Sequence, residues 1–239
     1  MTRAEVLSPQ SSLPWPFTEK HILYIIGCIA KALQHMHSIG YSHRDVKPHN
    51  ILLSSHGHRS GEQDFPEIGA PLLMDLGSVC AARCAVQTKS QALQVEEEAA
   101  LKSSAAYRAP ELTSVPFPPC ELDERVDIWA LGCSLYCIAV GRSPFESEKE
   151  GVMRLAILNG KYSLPEDGGA AAAVAAVRGV QKARPRPDQQ QTGRGRGVAL
   201  SSPAAALLSS MLRVDHRDRP TAGDVAVSCD TLLRGDSLV

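Results

Sequence analysis

Along the chain, segments with a clear apolar period alternate with segments that have none. Residues 1–16 are rich in proline and serine and read as an irregular lead-in. From Thr18 the pattern turns helical. Ile22, Ile25, Ile26, Ile29, Leu33 and Met36 recur at three- and four-residue spacing, with Thr18 placed to cap the first turn and Gly40 to end the helix. Ile51–Leu53 and Leu72–Met74 are short apolar runs that predict buried strands. The polar stretch 54–71 carries Gly57, Gly61 and Gly69, is long for a hairpin connection, and reads as a flexible insertion. Residues 78–106 are polar, with a helical flavour from alanines, Leu93, Val95 and Leu101. Residues 123–141 are apolar around nearly the whole helical circumference, which predicts a central buried helix with Asp127 capping amides at its start. A shorter amphipathic helix is predicted over Lys149–Asn159, stopped by Gly160. Residues 166–200 shift to an alanine run, then to Lys, Arg, Pro and Gln, and read as a second flexible insertion. Beyond Ser202-Pro203 a helix resumes through Ala205, Leu207, Leu208, Met211 and Leu212, and Asp224–Leu233 forms a last one before the tail 234–239.

Composition narrows the class without naming it. Hydrophobic residues make up 44% and charged residues 21%, ordinary for a globular protein, and a formal net charge of −1 argues against a general nucleic-acid binder. The seven cysteines are scattered without CxxC pairing, so a zinc site is not expected and a reducing compartment is. Ile22–Leu33 and Ile128–Val140 are too short or too interrupted to span a bilayer, no signal peptide is visible, and the Met-Thr start lacks the glycine of N-myristoylation.

Candidate chemistry concentrates in residues 43–53, His-Arg-Asp-Val-Lys-Pro-His-Asn-Ile-Leu-Leu. A carboxylate (Asp45) can accept a hydroxyl proton, a lysine (Lys47) can hold a phosphate, and an amide oxygen (Asn50) can ligate a hard cation such as Mg²⁺. Asp75-Leu76-Gly77, at the end of the second apolar run, suits a metal-binding turn. Other signals carry less. His56 and His58 read as solvated loop residues, the glycines of Gly193–Gly197 follow no strand, and the second His-Arg-Asp at 216–218 has no Lys or Asn at the required offsets.

Five ordered motifs resemble those of the protein kinases: H-R-D-x-K-P-x-N (43–50), D-L-G (75–77), A-P-E (109–111), D-x-W-x-x-G (127–132) and R-P (219–220). Lys47 in the K-P-x-N form is similar to the serine/threonine type. The runs Met74–Ser78, Ser90–Leu93, Tyr107–Leu112 and Asp123–Tyr136 resemble the lipid-anchored member of the Numb-associated kinase family. The resemblance implies an α+β protein kinase-like fold over residues 17–233. It would be the C-terminal lobe only, mainly helical, with a short β-hairpin carrying the catalytic and D-L-G loops. It implies ATP and Mg²⁺ as cofactors, with Asp45, Lys47 and Asn50 catalytic, Asn50 and Asp75 on the metal, and Leu52 on the floor of the adenine site. It also implies supporting roles for five residues. Arg44 would meet a phosphate on Ser90 or Thr88, Ser104 would contact the catalytic Asp and Lys, Asp127 would hold the loop backbone, and Glu111 would pair with a buried Arg219. Partners would be ATP and proteins bearing the acceptor Ser or Thr, with no specific nucleic acid. The location would be cytoplasmic, with Golgi or peripheral membrane association by resemblance alone. No Gly-rich loop, V-A-I-K lysine or helix-C glutamate is found upstream of the loop, so the N-terminal lobe is expected to be missing. A non-enzymatic docking or regulatory lobe is therefore the alternative. A small-molecule phosphotransferase fits less well, because those enzymes lack the A-P-E segment and Lys47.

Overall fold

The computed structural model describes residues 17–54, 65, 68–164 and 197–235. The lead-in 1–16, most of the insertions predicted at 54–71 and 166–200, His56, His58 and nearly all of 193–197 lie outside these residues, as do the last four of the tail.

Helix α1, Glu19–Ser38, starts where the pattern places it. Thr18 Oγ1 accepts from the His21 amide at 3.2 Å and His21 Nδ1 accepts from the Thr18 amide at 3.2 Å, a reciprocal cap with histidine in the position usually held by Glu or Gln. Its face of Ile22, Ile25, Ile26, Ile29 and Leu33 is fully buried, against the terminal helix α7, Ala222–Arg234, and the central helix. That central helix, α4, runs Val126–Val140 and is buried on every side, which its uniform apolarity requires. Gly132 of α4 permits the approach of α6, Ser202–Met211. A Cβ there would stand 3.0 Å from both Met211 Cβ and Leu212 Cδ2. Trp129 of α4 stacks on Phe145 with ring centroids 5.1 Å apart.

Short strands pair in antiparallel twos: β1 (Tyr41–Ser42) with β4 (Cys80–Ala81), β2 (Ile51–Ser54) with β3 (Ala70–Leu73), β5 (Cys84–Val86) with β6 (Cys120–Leu122), and β7 (Glu146–Ser147) with β8 (Gly151–Val152). Helix α2, Lys89–Lys102, occupies the helical part of 78–106, and a single turn, α3, spans Pro110–Thr113. Helix α5 spans Arg154–Asn159. No helix among the described residues is long and apolar enough to cross a membrane.

Two expectations are corrected. The β2–β3 pair is not buried through and through. Ile51 is buried, but its neighbour Leu52 pairs with Leu72 on a face where they are 40% and 47% exposed, and Met74 lies beyond the strand end at 47%. A period-2 element buries alternate side chains, so a continuous apolar run overstates burial when only one face is covered. Likewise, the first half of Lys149–Asn159 is a hairpin rather than a helix. Ser147 Oγ accepts from the amides of Lys149 and Glu150, and Gly151 at φ 65° takes the left-handed conformation that the turn needs.

Candidate active site

The loop after α1 is shaped by a carboxylate that reaches it from another element. Gly40, at φ 86°, ends α1, and β1 then leads into His43. Asp127, fully buried at the start of α4, accepts from the His43 amide through Oδ2 and from the Arg44 amide through Oδ1, each at 2.8 Å. His37 of α1 closes the cluster, its Nε2 2.9 Å from Asp127 Oδ2. Asp127 therefore does not cap α4, whose start has no side-chain cap; both its oxygens serve the loop. Those bonds hold Arg44 at φ 68°, a left-handed conformation that a long side chain adopts only under constraint. The His43 ring is buried, with Nε2 3.1 Å from the Met74 carbonyl.

Asp45 sits at the centre of a dense set of donors. Lys47 Nζ donates to its Oδ2 at 2.6 Å and to Ser104 Oγ at 2.8 Å, while the Ser104 amide donates to Oδ1 at 2.9 Å. Asn50 Nδ2 donates to the Asp45 carbonyl at 2.8 Å and to Oδ2 at 3.1 Å. Burial pushes the Asp45 carboxyl up, but the hydrogen bonds from Lys47 and Ser104 outweigh it and hold the group below its ordinary value. With its amide hydrogens committed to Asp45, Asn50 has its oxygen to offer as a ligand.

Asp75 lies one residue beyond Met74, whose amide donates to the Asn50 carbonyl at 2.8 Å, so the hairpin brings the ends of the two loops together. It is exposed at φ 65°, and its Oδ1 accepts from Gly77 N at 3.3 Å. Among the described residues no three His, Cys, Asp or Glu side chains form a metal cluster. An amide oxygen and one carboxylate suit Mg²⁺, which takes one or two protein ligands together with substrate phosphates and water.

The supporting residues are also placed. Glu111 and Arg219 form a buried two-pronged pair at 2.7 and 2.8 Å. Arg219 spends its remaining donors on the carbonyls of Arg213, Arg125 and Val214, and its guanidinium lies 5.1 Å from the Trp129 ring centre. The Thr88 hydroxyl accepts from Gln91 N and caps α2. Arg44, its Nε buried without a partner, lines a shallow cleft with Ser78, Glu98, Lys102 and Ser103. The decoy Arg217-Asp218 falls in a surface turn, where Arg217 pairs with Asp215 and holds its carboxyl down at about 2. His37 is the participant that sequence reasoning missed. Its partner lies 90 residues away, and nothing local in the α1 pattern separates it from His35.

A family profile described as protein kinase domain matches residues 5–228, and the chain belongs to that family. Among individual proteins, it is 36% identical over 205 residues to serine/threonine-protein kinase 16 of Mus musculus, covering 85% of this chain and 53% of that protein. The Homo sapiens protein of the same name is 40% identical over 151 residues, covering 62% and 45%. Serine/threonine-protein kinase ppk13 of Schizosaccharomyces pombe is 30% identical over 182 residues, covering 62% and 49%. The chain thus spans about half the length of the curated relatives it matches.

Proposed function

We propose that this chain carries the catalytic-loop half of a serine/threonine protein kinase, in which the γ-phosphoryl group of ATP passes to a Ser or Thr hydroxyl on a protein. The observation that carries the reading is the Asp45 carboxylate, kept ionised and fixed in direction by Lys47, Ser104 and Asn50. Asp45 orients the acceptor hydroxyl and takes its proton. Lys47, placed between Asp45 and Ser104, supplies positive charge where the transferring group gains negative charge. Asn50 and Asp75 would hold the metal of Mg-ATP, which supplies the transferable group and neutralises its charge. Leu52, on the exposed face of β2, offers apolar floor to the base.

Two finer assignments go with this reading. Residues 17–233 correspond to the C-terminal lobe, supported by the helical architecture around α4. The branch is that of the lipid-anchored member of the Numb-associated kinases, supported by the motif runs named above and by a helix, α2, between the D-L-G and A-P-E motifs. Peripheral membrane association would follow from that branch, and co-sedimentation with anionic vesicles tests it.

Phosphoryl transfer from labelled Mg-ATP to Ser and Thr peptides tests the main reading. Asp45→Asn should lower the rate by about 10²–10⁴-fold; an unchanged rate refutes the assignment. A docking or regulatory lobe is the second reading, favoured by the exposure of Leu52, Leu72 and Met74 on the face where nucleotide would sit. It predicts no detectable Mg-ATP binding by this chain at millimolar nucleotide, and saturable binding there excludes it.

A further inference from the structure

One pair of cations beside the reaction centre has no role in the chemistry above. Arg108, half-buried, donates Nε to Ser103 Oγ at 2.9 Å and Nη2 to the Ser103 carbonyl at 2.8 Å. Arg154, exposed at the start of α5, donates Nη2 to the Thr113 carbonyl at 2.9 Å. Among the described residues neither arginine has a carboxylate within ion-pair distance. Burial lowers the pKa of Arg108, the charge of Arg154 lowers it further, and the acid that pulls it back up is Asp45. Glu146 of the adjacent hairpin acts on Tyr107 and Cys137 instead. Arg154 bonds to Thr113, whose own amide bonds back at 2.9 Å to the carbonyl of Ala109, the neighbour of Arg108. The two guanidinium groups thus attach to one turn of chain and are satisfied only by neutral oxygens. An anion bridging them would offset their charge and use their remaining donors.

The location says which anion. Ser103, which anchors Arg108, directly precedes Ser104, whose amide holds Asp45. Arg108 and Asp45 are thus bonded to consecutive residues, whose Cα atoms lie about 3.8 Å apart. An extended chain advances about 3.3–3.6 Å per residue. A group held by the arginines while a hydroxyl lies at Asp45 is then within about three residues of that hydroxyl. We infer that Arg108 and Arg154 form an anion subsite that reads a carboxylate or phosphate group close in sequence to the acceptor Ser or Thr of the protein substrate. This rests on the reading that Asp45 receives the acceptor hydroxyl. Arg108, clamped by two bonds to Ser103, is the fixed element, and Arg154, exposed on α5, is the adaptable one.

The test uses the 239-residue chain and labelled peptides with a single central Ser, flanked on one side or the other by Asp, phosphoserine, Asn or Lys. Binding is followed by fluorescence anisotropy at constant ionic strength. The Asp or phosphoserine peptide should bind about tenfold more tightly than its Asn counterpart, the size of one charge-assisted hydrogen bond. The ratio of the Asp and phosphoserine arms tells an acidic sequence from a previously phosphorylated one. Arg154→Glu, at an exposed position outside the core, should abolish the preference and turn it toward the Lys peptide, with an unchanged thermal melt as the check on folding. Arg154→Lys should keep most of it. Equal binding of Asp, phosphoserine and Asn peptides, or an anion preference that survives Arg154→Glu, overturns the subsite. This readout requires no phosphoryl transfer. Asp45-dependent transfer without charge preference removes the subsite alone, and charge preference together with a transfer rate that Asp45→Asn leaves unchanged removes the kinase reading alone.

Discussion

Replacing Arg219 by leucine should be among the most damaging single changes in the molecule. All five of its guanidinium donors are spent: two on Glu111 at 2.7 and 2.8 Å, and three on the carbonyls of Arg213, Arg125 and Val214 at 2.7, 3.0 and 3.0 Å. Arg219 is 2% exposed and Glu111 5%, so water cannot replace what is lost. The leucine variant leaves a buried carboxylate without a counter-charge, a loss of about 3–5 kcal/mol. With a urea m-value of about 2–3 kcal/mol/M for a chain of this size, the unfolding midpoint should fall by about 1–2 M. The decisive assay is a double-mutant cycle with Glu111→Leu. Removing both partners removes the stranded charge, so the double variant should cost less than the sum of the singles by about 1–3 kcal/mol. Additive losses, or a midpoint shift below about 0.3 M, would refute the claim that this pair holds the A-P-E turn to the end of the chain.

Further outcomes follow from other contacts. Asp127→Ala deletes acceptors for the His43 and Arg44 amides and the partner of His37; it should cost about 2–3 kcal/mol and speed hydrogen exchange at those two amides, and unchanged exchange would count against the anchoring role. The depressed Asp45 pKa makes a pH-dependent contribution to stability. Because the folded value lies below the ordinary 3.8, the contribution is present in full above that pH and lost as pH falls through the folded value. Asp45→Asn should thus be less stable than wild type near neutral pH and converge on it in acid, whereas a constant gap across a urea series in pH contradicts the assignment. Gly132→Ala places a methyl 3.0 Å from Met211 Cβ and Leu212 Cδ2, and the overpacking should outweigh the helix-propensity gain and lower stability by about 1–3 kcal/mol in thermal melts.

Much of this was legible in the sequence because it is local. The three- and four-residue apolar period of α1, its Thr18 cap and its Gly40 stop are properties of neighbouring residues, as is the all-round apolarity of α4. Within the H-R-D-x-K-P-x-N run, Asp45, Lys47 and Asn50 were bound to lie close together in any fold, and the structure joins all three through one carboxylate. Other features depend on contacts between residues far apart in the chain. Exposure of Leu52 and Leu72 turns on which side of a two-stranded ribbon has anything packed on it, which an apolar run does not encode. The bond of Lys47 to Ser104 spans 57 residues, and those of Asp127 to His43 and His37 span 84 and 90. Such distances close only when α1, α4 and the segment after α2 have docked. The left-handed Arg44 is the clearest case: its own residue type disfavours that backbone, and it persists because a carboxylate on a packed helix accepts its amide. The sequence alone therefore determined which groups could do chemistry and which helices would form. Tertiary packing decided how those groups are aimed, because aim is set by hydrogen bonds to residues that only the assembled core brings within reach.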